Sequence, residues 1–280
     1  MLRERRSSDR ETHSRKDPVF DRFVASFSPP TGVSSLPGED SMINFYGYIT
    51  TMSWRVGITL EELGLDYRFH PIHLGRGEQQ GSVHRARNPM QKVPVIVDDA
   101  PADGGDPVTL FESAAILVYL AEKSGRLVPT GTRDRADFWT WFFWVVNSYG
   151  EDLGLCGGSF HRDPRYRLFD PIDYGAATYE RFTEASIQAH YKLDKRLERR
   201  DYICGDYSLA DIAALGSTVP LLLHGIDELT ALPNLARWYA RLRARPEVER
   251  ALLLGRELES ELPDYYEAAL FDDSWRERLP

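Results

Sequence analysis

Every strand-like run in this chain lies in its first half, and nothing beyond that half reads as a strand. From Ile43 the sequence runs INFYGY, a short β-prone segment; Val56, Leu60 and Leu63 then recur at near-helical spacing before Gly64. DYRFHPI and KVPVIVDD read as further strands, and the turn ADGGD (Ala102 to Asp106) joins the latter to PVTLF. So short a glycine-rich connection makes KVPVIVDD and PVTLF an antiparallel hairpin. ESAAILVYLAEKSG follows as a helix, with good helix formers inside and Gly125 just past its end.

The order is β-α-β, a polar loop, then β-β-α, which is that of a thioredoxin-like layer. From Arg135 to about Arg250 the pattern is helical only: RADFWTWFFWVVNSYG, a long segment around YGAATYERFTEASIQAHYKLDKRLERR, SLADIAALGSTVPLLL and PNLARWYARLRARPEVERAL. The expected fold class is α/β plus all-α: a thioredoxin-like βαβ-ββα domain over 42–125, a linker over 126–134, an all-helical domain over 135–270 and a tail over 271–280. Residues 1–16 hold six Lys/Arg against three acids and almost nothing apolar, and residues 17–41 add a Pro/Ser/Gly-rich stretch. Such a segment cannot bury enough surface to fold, so 1–41 is expected to be a partly disordered arm. Its acids Glu4, Asp9 and Glu11 are unusual in a transit peptide, and no apolar h-region follows.

Composition narrows the function classes. With 42% hydrophobic and 28% charged residues over 280 positions, this is a globular chain. No apolar run approaches the roughly 18 residues of a membrane span, so no membrane partner is expected. A net charge of −9 argues against nucleic acid. Cys156 and Cys204 form no CxxC pair, and neither they nor His161 and His190 have metal-ligand spacing. The expectation is a cytoplasmic protein with no metal.

Three local features carry chemistry. A proline opening an apolar strand, as in Val93-Pro94, removes a ladder donor. It is either an ordinary trans proline on an edge strand or a cis proline that leaves the Val93 backbone free to pair with an extended peptide. Glu112 and Ser113 start the AAILVYL helix; Ser113 is a plausible cap, and the free amides there form a carboxylate site beside an acid able to hold an ammonium group. Thr50-Thr51-Met52-Ser53 stands where the first strand turns into the first helix. A hydroxyl there either caps the helix or donates to a thiolate favoured by the helix N-terminus. Together they suit a short peptide with a thiol, a free carboxylate and an α-amino acid end, a description that glutathione meets.

On the motifs NPMQKVPVIVDD, LFESAAILVYLAEKSG and DYICGDYSLADIAAL the chain resembles cytosolic glutathione transferases over roughly residues 42–255. LGRGEQQ, the run from Asp98 to Gly125 and RARPEVERALLLGRE are similar to the bacterial Nu class, whose members are glutathione-dependent disulfide-bond reductases, some with an N-terminal arm. The resemblance implies glutathione as co-substrate and a homodimer. It implies that Thr50 contacts the thiol, Gln79 the glycyl end, the Val93 backbone the cysteinyl unit, with Pro94 in cis, and Glu112 and Ser113 the γ-glutamyl end. Arg181 matches a helical-domain arginine that approaches glutathione, and Lys92 is an adjacent basic candidate. Ser208 to Asp211 (SLAD) is a capping box, a folding element outside the site.

One departure stands at the thiol. The Nu pattern Thr-Pro-Asn reads Thr50-Thr51-Met52 here, and methionine cannot donate a hydrogen bond. Ser53-Trp54-Arg55-Val56 is similar instead to the start of serine-type classes, which makes Thr51 and Ser53 alternative thiol contacts. The expected function is glutathione-dependent disulfide reduction or transfer to an electrophile; the alternative is a non-catalytic binding or regulatory module of the same fold. The aromatic run Phe138, Trp139, Trp141, Phe142, Phe143, Trp144 is expected to be core, and some of it, with Tyr149 and the GGSFH loop, to line a co-substrate pocket.

Overall fold

β1 (Ile43–Gly47) is the strand on which the first half is built, because β-prone residues alternate buried and half-buried along it. The chain then enters helix α1 (Thr51–Leu63), which is buried along almost its whole length and stops at Gly64 in the left-handed conformation (φ 66°). That ending is the Schellman-type stop for which glycine has no steric penalty. The computed structural model describes residues 42–158, 173–220 and 231–256, all within the one compact unit Gly38–Pro280.

β2 (Tyr67–Pro71) pairs parallel with β1, as a strand returning through a helix must. After it come short 3-10 turns at Leu74–Arg76 and Glu78–Gln80 and a short helix α2 (Ser82–Arg87), in the stretch expected to be loop. β3 (Val95–Asp98) runs antiparallel to β1, and β4 (Val108–Phe111) antiparallel to β3, giving the order β2-β1-β3-β4. α3 (Ser113–Ser124) ends at Gly125, again left-handed. At the end of β3, buried Asp98 accepts from Tyr119 Oη and Lys123 Nζ, both at 2.7 Å, and so ties α3 to the sheet. Burial alone would raise the Asp98 pKa, but the bonds from Lys123 and Tyr119 hold it below the usual carboxylate range.

The helical half begins with α4 (Thr132–Trp144), which runs through a π-helical turn (Val145–Tyr149) directly into α5 (Gly150–Gly158). The expected end near Gly150 is therefore corrected: this glycine continues the helix. The aromatic run is core only in part, since Phe138 and Phe142 are buried whereas Phe143 is 53% exposed. α6 (Ala176–Arg196) and α7 (Leu209–Thr218) follow, the latter opened by the expected capping box between Ser208 and Asp211. The single helix expected over Pro233 to Leu252 is two, α8 (Pro233–Arg243) and α9 (Pro246–Leu252), because Pro246 has no amide to continue the first. The arm 1–41, the tail 271–280 and His161 lie outside the described residues.

α1 is clamped between the layers. Where it meets α9, Gly57 permits close approach: a Cβ there would come within 2.9 Å of Leu254 Cδ1, which would have to shift. At its end, buried Glu62 accepts from Arg245 Nε (2.5 Å) and Nη2 (2.7 Å) and from Tyr207 Oη (3.1 Å). Cutting away the carboxylate leaves two donors facing a cavity. Glu62→Ala is expected to lower stability by about 3 kcal/mol, read as a lower denaturant midpoint with an unchanged slope.

His190 on α6 is fully buried, donates Nδ1–H to Ser186 O (2.8 Å) and meets the Tyr149 ring edge-on at 5.5 Å. Burial pushes its pKa down to about 4, so it is neutral in the fold. The unfolded chain takes up this proton below about pH 6.5 and the folded chain does not. Stability is therefore expected to fall between about pH 6.5 and 4, by on the order of 3 kcal/mol from this group, and His190→Gln to flatten that slope in urea titrations at several pH values.

Candidate functional site

Two helix N-termini and one loop meet beside the sheet. Thr50 is the cap of α1: in extended conformation, it accepts Ser53 N–H on Oγ1 at 3.2 Å, with the Ser53 hydroxyl 3.0 Å away. Its carbonyl takes Trp54 N–H at 3.0 Å, while the amides of Thr51 and Met52 make no hydrogen bond among the described residues. Those open amides at the positive end of a helix favour a thiolate beside the partly exposed Thr50 hydroxyl.

The alternative thiol contacts stand differently. Ser53 is 3% exposed, and its Oγ accepts Tyr48 N–H at 3.2 Å. It is turned into the protein, fixing Thr50 from behind. Thr51 is the first residue of α1 and half-buried, its carbonyl packed against the backbone at Gly216.

The Val93–Pro94 bond is cis. Pro94 leads into β3, an inner strand, so the edge-strand alternative does not hold. Neither the amide nor the carbonyl of Val93 is bonded among the described residues, which leaves both for an extended peptide. The loop is held just before them: the Lys92 carbonyl accepts from His84 Nε2 (3.0 Å) and Asn88 Nδ2 (2.8 Å). Sequence reasoning assigned nothing to these two residues, although Asn88 lies in the quoted NPMQK motif. The Lys92 side chain is exposed.

At α3 the expectation for Ser113 is corrected. The cap is Glu112, at φ 69° and ψ 110°, and Ser113 is the first helical residue. A non-glycine residue held at positive φ costs of the order of 1–3 kcal/mol, and here the turn points an exposed acid outward beside the open amides of Ser113, Ala114 and Ala115. The two N-termini touch, since Ser113 Oγ–H donates to Met52 Sδ at 3.6 Å. Met52 thus occupies space between them as an acceptor.

Gln79 sits in the second 3-10 turn, half-buried, with a buried Oε1 that no described residue satisfies. The orphaned atom is an acceptor and so is open to an N–H or O–H donor, not to a carboxylate. Arg181 is exposed on α6, and no contact brings it to these residues among the described ones. Tyr149 is fully buried, with its hydroxyl 2.6 Å from Thr218 Oγ1, and residues 159–161 of the GGSFH loop expected beside it lie outside the described residues. Cys156 is buried, and burial pushes the Cys204 thiol up to about 12, so neither is a ready nucleophile. Among the described residues, no group of three or more His, Cys, Asp or Glu could hold a metal ion.

A thioredoxin-like layer with an open cis-proline strand and paired helix N-termini, followed by a helical bundle, defines the glutathione transferase fold. Family models described as "Glutathione S-transferase, N-terminal domain" and "Glutathione S-transferase, C-terminal domain" match residues 41–122 and 162–246. Disulfide-bond oxidoreductase YfcG of Escherichia coli (strain K12) is 38% identical over 76% of this chain and 95% of its own. A solved glutathione transferase from Burkholderia graminis, with two glutathione molecules bound per subunit, aligns with TM-score 0.69 and 31% identity over 78% of this chain and 90% of its own. One from Pseudomonas putida, with one glutathione disulfide per subunit, aligns with TM-score 0.68 and 27% identity over 77% and 93%. The chain belongs to the glutathione S-transferase family.

Glu112→Gly relieves the positive-φ strain while removing the acid. It is expected to leave the protein at least as stable, by up to about 1 kcal/mol, yet to raise the KM for glutathione severalfold; thermal melts and steady-state kinetics on one preparation read both.

Proposed function

We propose that this protein binds glutathione as co-substrate across Val93, Glu112 and Ser113 and uses its thiolate, held at the N-terminus of α1, to reduce disulfides. The observation that carries the reading is the unbonded Val93 backbone beside the cis Pro94, within a site whose other groups are open helix amides. The cysteinyl unit of glutathione pairs with Val93, its γ-glutamyl carboxylate meets the α3 amides and Ser113, and its ammonium group meets Glu112. Gln79 takes the glycyl carboxylate through its amide NH2, the half of the side chain able to donate. Arg181 and Lys92, both exposed, are included on charge alone.

The sulfur then lies at Thr50 and the amides of Thr51 and Met52, which stabilise its negative charge without a general base. The thiolate attacks one sulfur of the disulfide substrate; a mixed disulfide forms, and the other sulfur leaves as a thiolate that takes a proton from solvent. A second glutathione thiolate attacks the glutathione sulfur of that mixed disulfide, giving glutathione disulfide and the second product thiol. No protein cysteine is needed, in keeping with the buried Cys156 and the high pKa of Cys204. The names of YfcG, a disulfide-bond oxidoreductase, and of the glutathione-bound relatives support the same chemistry.

The reading includes a homodimer and a cytoplasmic setting. Val83, Met90 and Phe143 are exposed large apolar side chains, and no described helix is long and apolar enough to cross a membrane.

The test is glutathione-dependent reduction of 2-hydroxyethyl disulfide beside conjugation of chlorodinitrobenzene. Reduction well above conjugation is expected, and Thr50→Val should lower kcat at least tenfold while changing the KM for glutathione little. Conjugation without reduction would move the electrophile to carbon; glutathione binding without either activity would favour a binding module, to which Met52 lends some footing.

A further inference from the structure

Arg55 is the one strongly basic group of α1, and nothing in the chemistry above uses it. It is 1% exposed. Its guanidinium makes a single hydrogen bond, from Nη2 to Ser217 Oγ at 2.6 Å, and Nε has no partner among the described residues. No described carboxylate pairs with it. On the elements packed around α1, Glu61 and Glu62 at its far end are taken by Arg250 and Arg245. On α7, Asp211 is spent on Ile203, Ser208 and Trp238. Tyr149, from the π-helical turn, is the ionisable group coupled to Arg55, and burial holds it as a neutral phenol. His190, against Tyr149, is neutral as well.

Room has been made for this side chain. A Cβ at Gly150 would lie 2.7 Å from Arg55 Nη2 and 3.1 Å from Val145 O. A Cβ at Gly216 would lie 2.6 Å from Arg55 Cγ and 3.0 Å from Thr51 O. Two helices therefore give up a side chain where the arginine passes. Burying an uncompensated cation is costly, and an apolar residue of similar length would fill the same space at less cost.

The position suggests what the charge is for. Long side chains on a helix lean back towards its N-terminus, over the residue four before. That residue is Thr51, whose carbonyl shares the Gly216 contact with the Arg55 stem. The stem thus runs beside the first turn of α1, whose outer end carries Thr50 and the open amides of Thr51 and Met52, and the guanidinium ends at Ser217 and Gly150 behind it. We propose that Arg55 is an electrostatic positioning residue: a buried charge with no carboxylate partner among the described residues, rooted in the first turns of α1, that lowers the pKa of the glutathione thiol at Thr50. The inference rests on the glutathione site proposed above. A unit charge acting over about 10 Å at an effective dielectric of about 20 moves a pKa by about one unit.

The experiment is the pH dependence of kcat/KM for glutathione in disulfide reduction by the full chain. Arg55→Met should move the acid-limb midpoint up by about one unit, and Arg55→Lys, which keeps a charge, should stay near the parent. A fall in rate with an unmoved midpoint would make Arg55 a structural bolt and overturn the proposal. If Arg55→Met does not fold, Ser217→Asp against Ser217→Asn decides, because the first neutralises the cation in place and the second does not. A higher midpoint for Ser217→Asp supports the proposal, and equal midpoints overturn it. A parent protein with no glutathione-dependent turnover overturns the functional reading and this inference with it, whereas normal parent turnover with unmoved variants removes the role of Arg55 alone.

Discussion

The structure depends on one helix being held from both sides. α1 leaves the sheet at Thr50, lies under α3 and is covered by α7 and α9, so that hardly any of its surface meets water. Such burial fixes the direction in which its N-terminus points, and that N-terminus is where the proposed chemistry occurs. The glycines at 57 and 216 permit close approach, and the Glu62–Arg245–Tyr207 bonds lock the far end. The helical bundle is thus part of the site even where none of its side chains reaches it.

The site itself is mostly main chain. Open amides at the starts of α1 and α3, the unbonded Val93 peptide and the outward-held Glu112 suit the shape and charge of the small peptide proposed to bind there. Side chains act mainly in support: Ser53 behind Thr50, and His84 and Asn88 on the Lys92 carbonyl. On the proposed reading, such an arrangement binds and ionises a thiol brought from outside and leaves the choice of electrophile to the surface opposite. In the Thr50-Thr51-Met52 turn a thioether stands where the resemblance to the Nu class implies a donor, and Ser113 is bonded to it.

Strands and helices with regular periods and glycine stops were legible in the sequence, since Gly64 and Gly125 end α1 and α3 where a left-handed residue is needed. The short polar α2 was not, having too few residues to show a period. Nor was the passage of α4 into α5, because Gly150 serves close packing there and not termination. The peptide-binding loop was readable through Val93-Pro94, but its isomer was open until a resemblance or a structure supplied it. Ser113 looked like a cap because serines usually are; the strained Glu112 took that place. Arg55 gave no signal, since an arginine on a helix reads as solvent-facing, and the glycines that admit it lie about 95 and 160 positions away.

The central claim is that the N-terminus of α1 holds a glutathione thiolate. Ultraviolet difference titration of glutathione bound to the full chain reads that ionisation directly. The account predicts that the bound thiol titrates at least about one unit below the free peptide's. A bound thiol that titrates with the free one would contradict it.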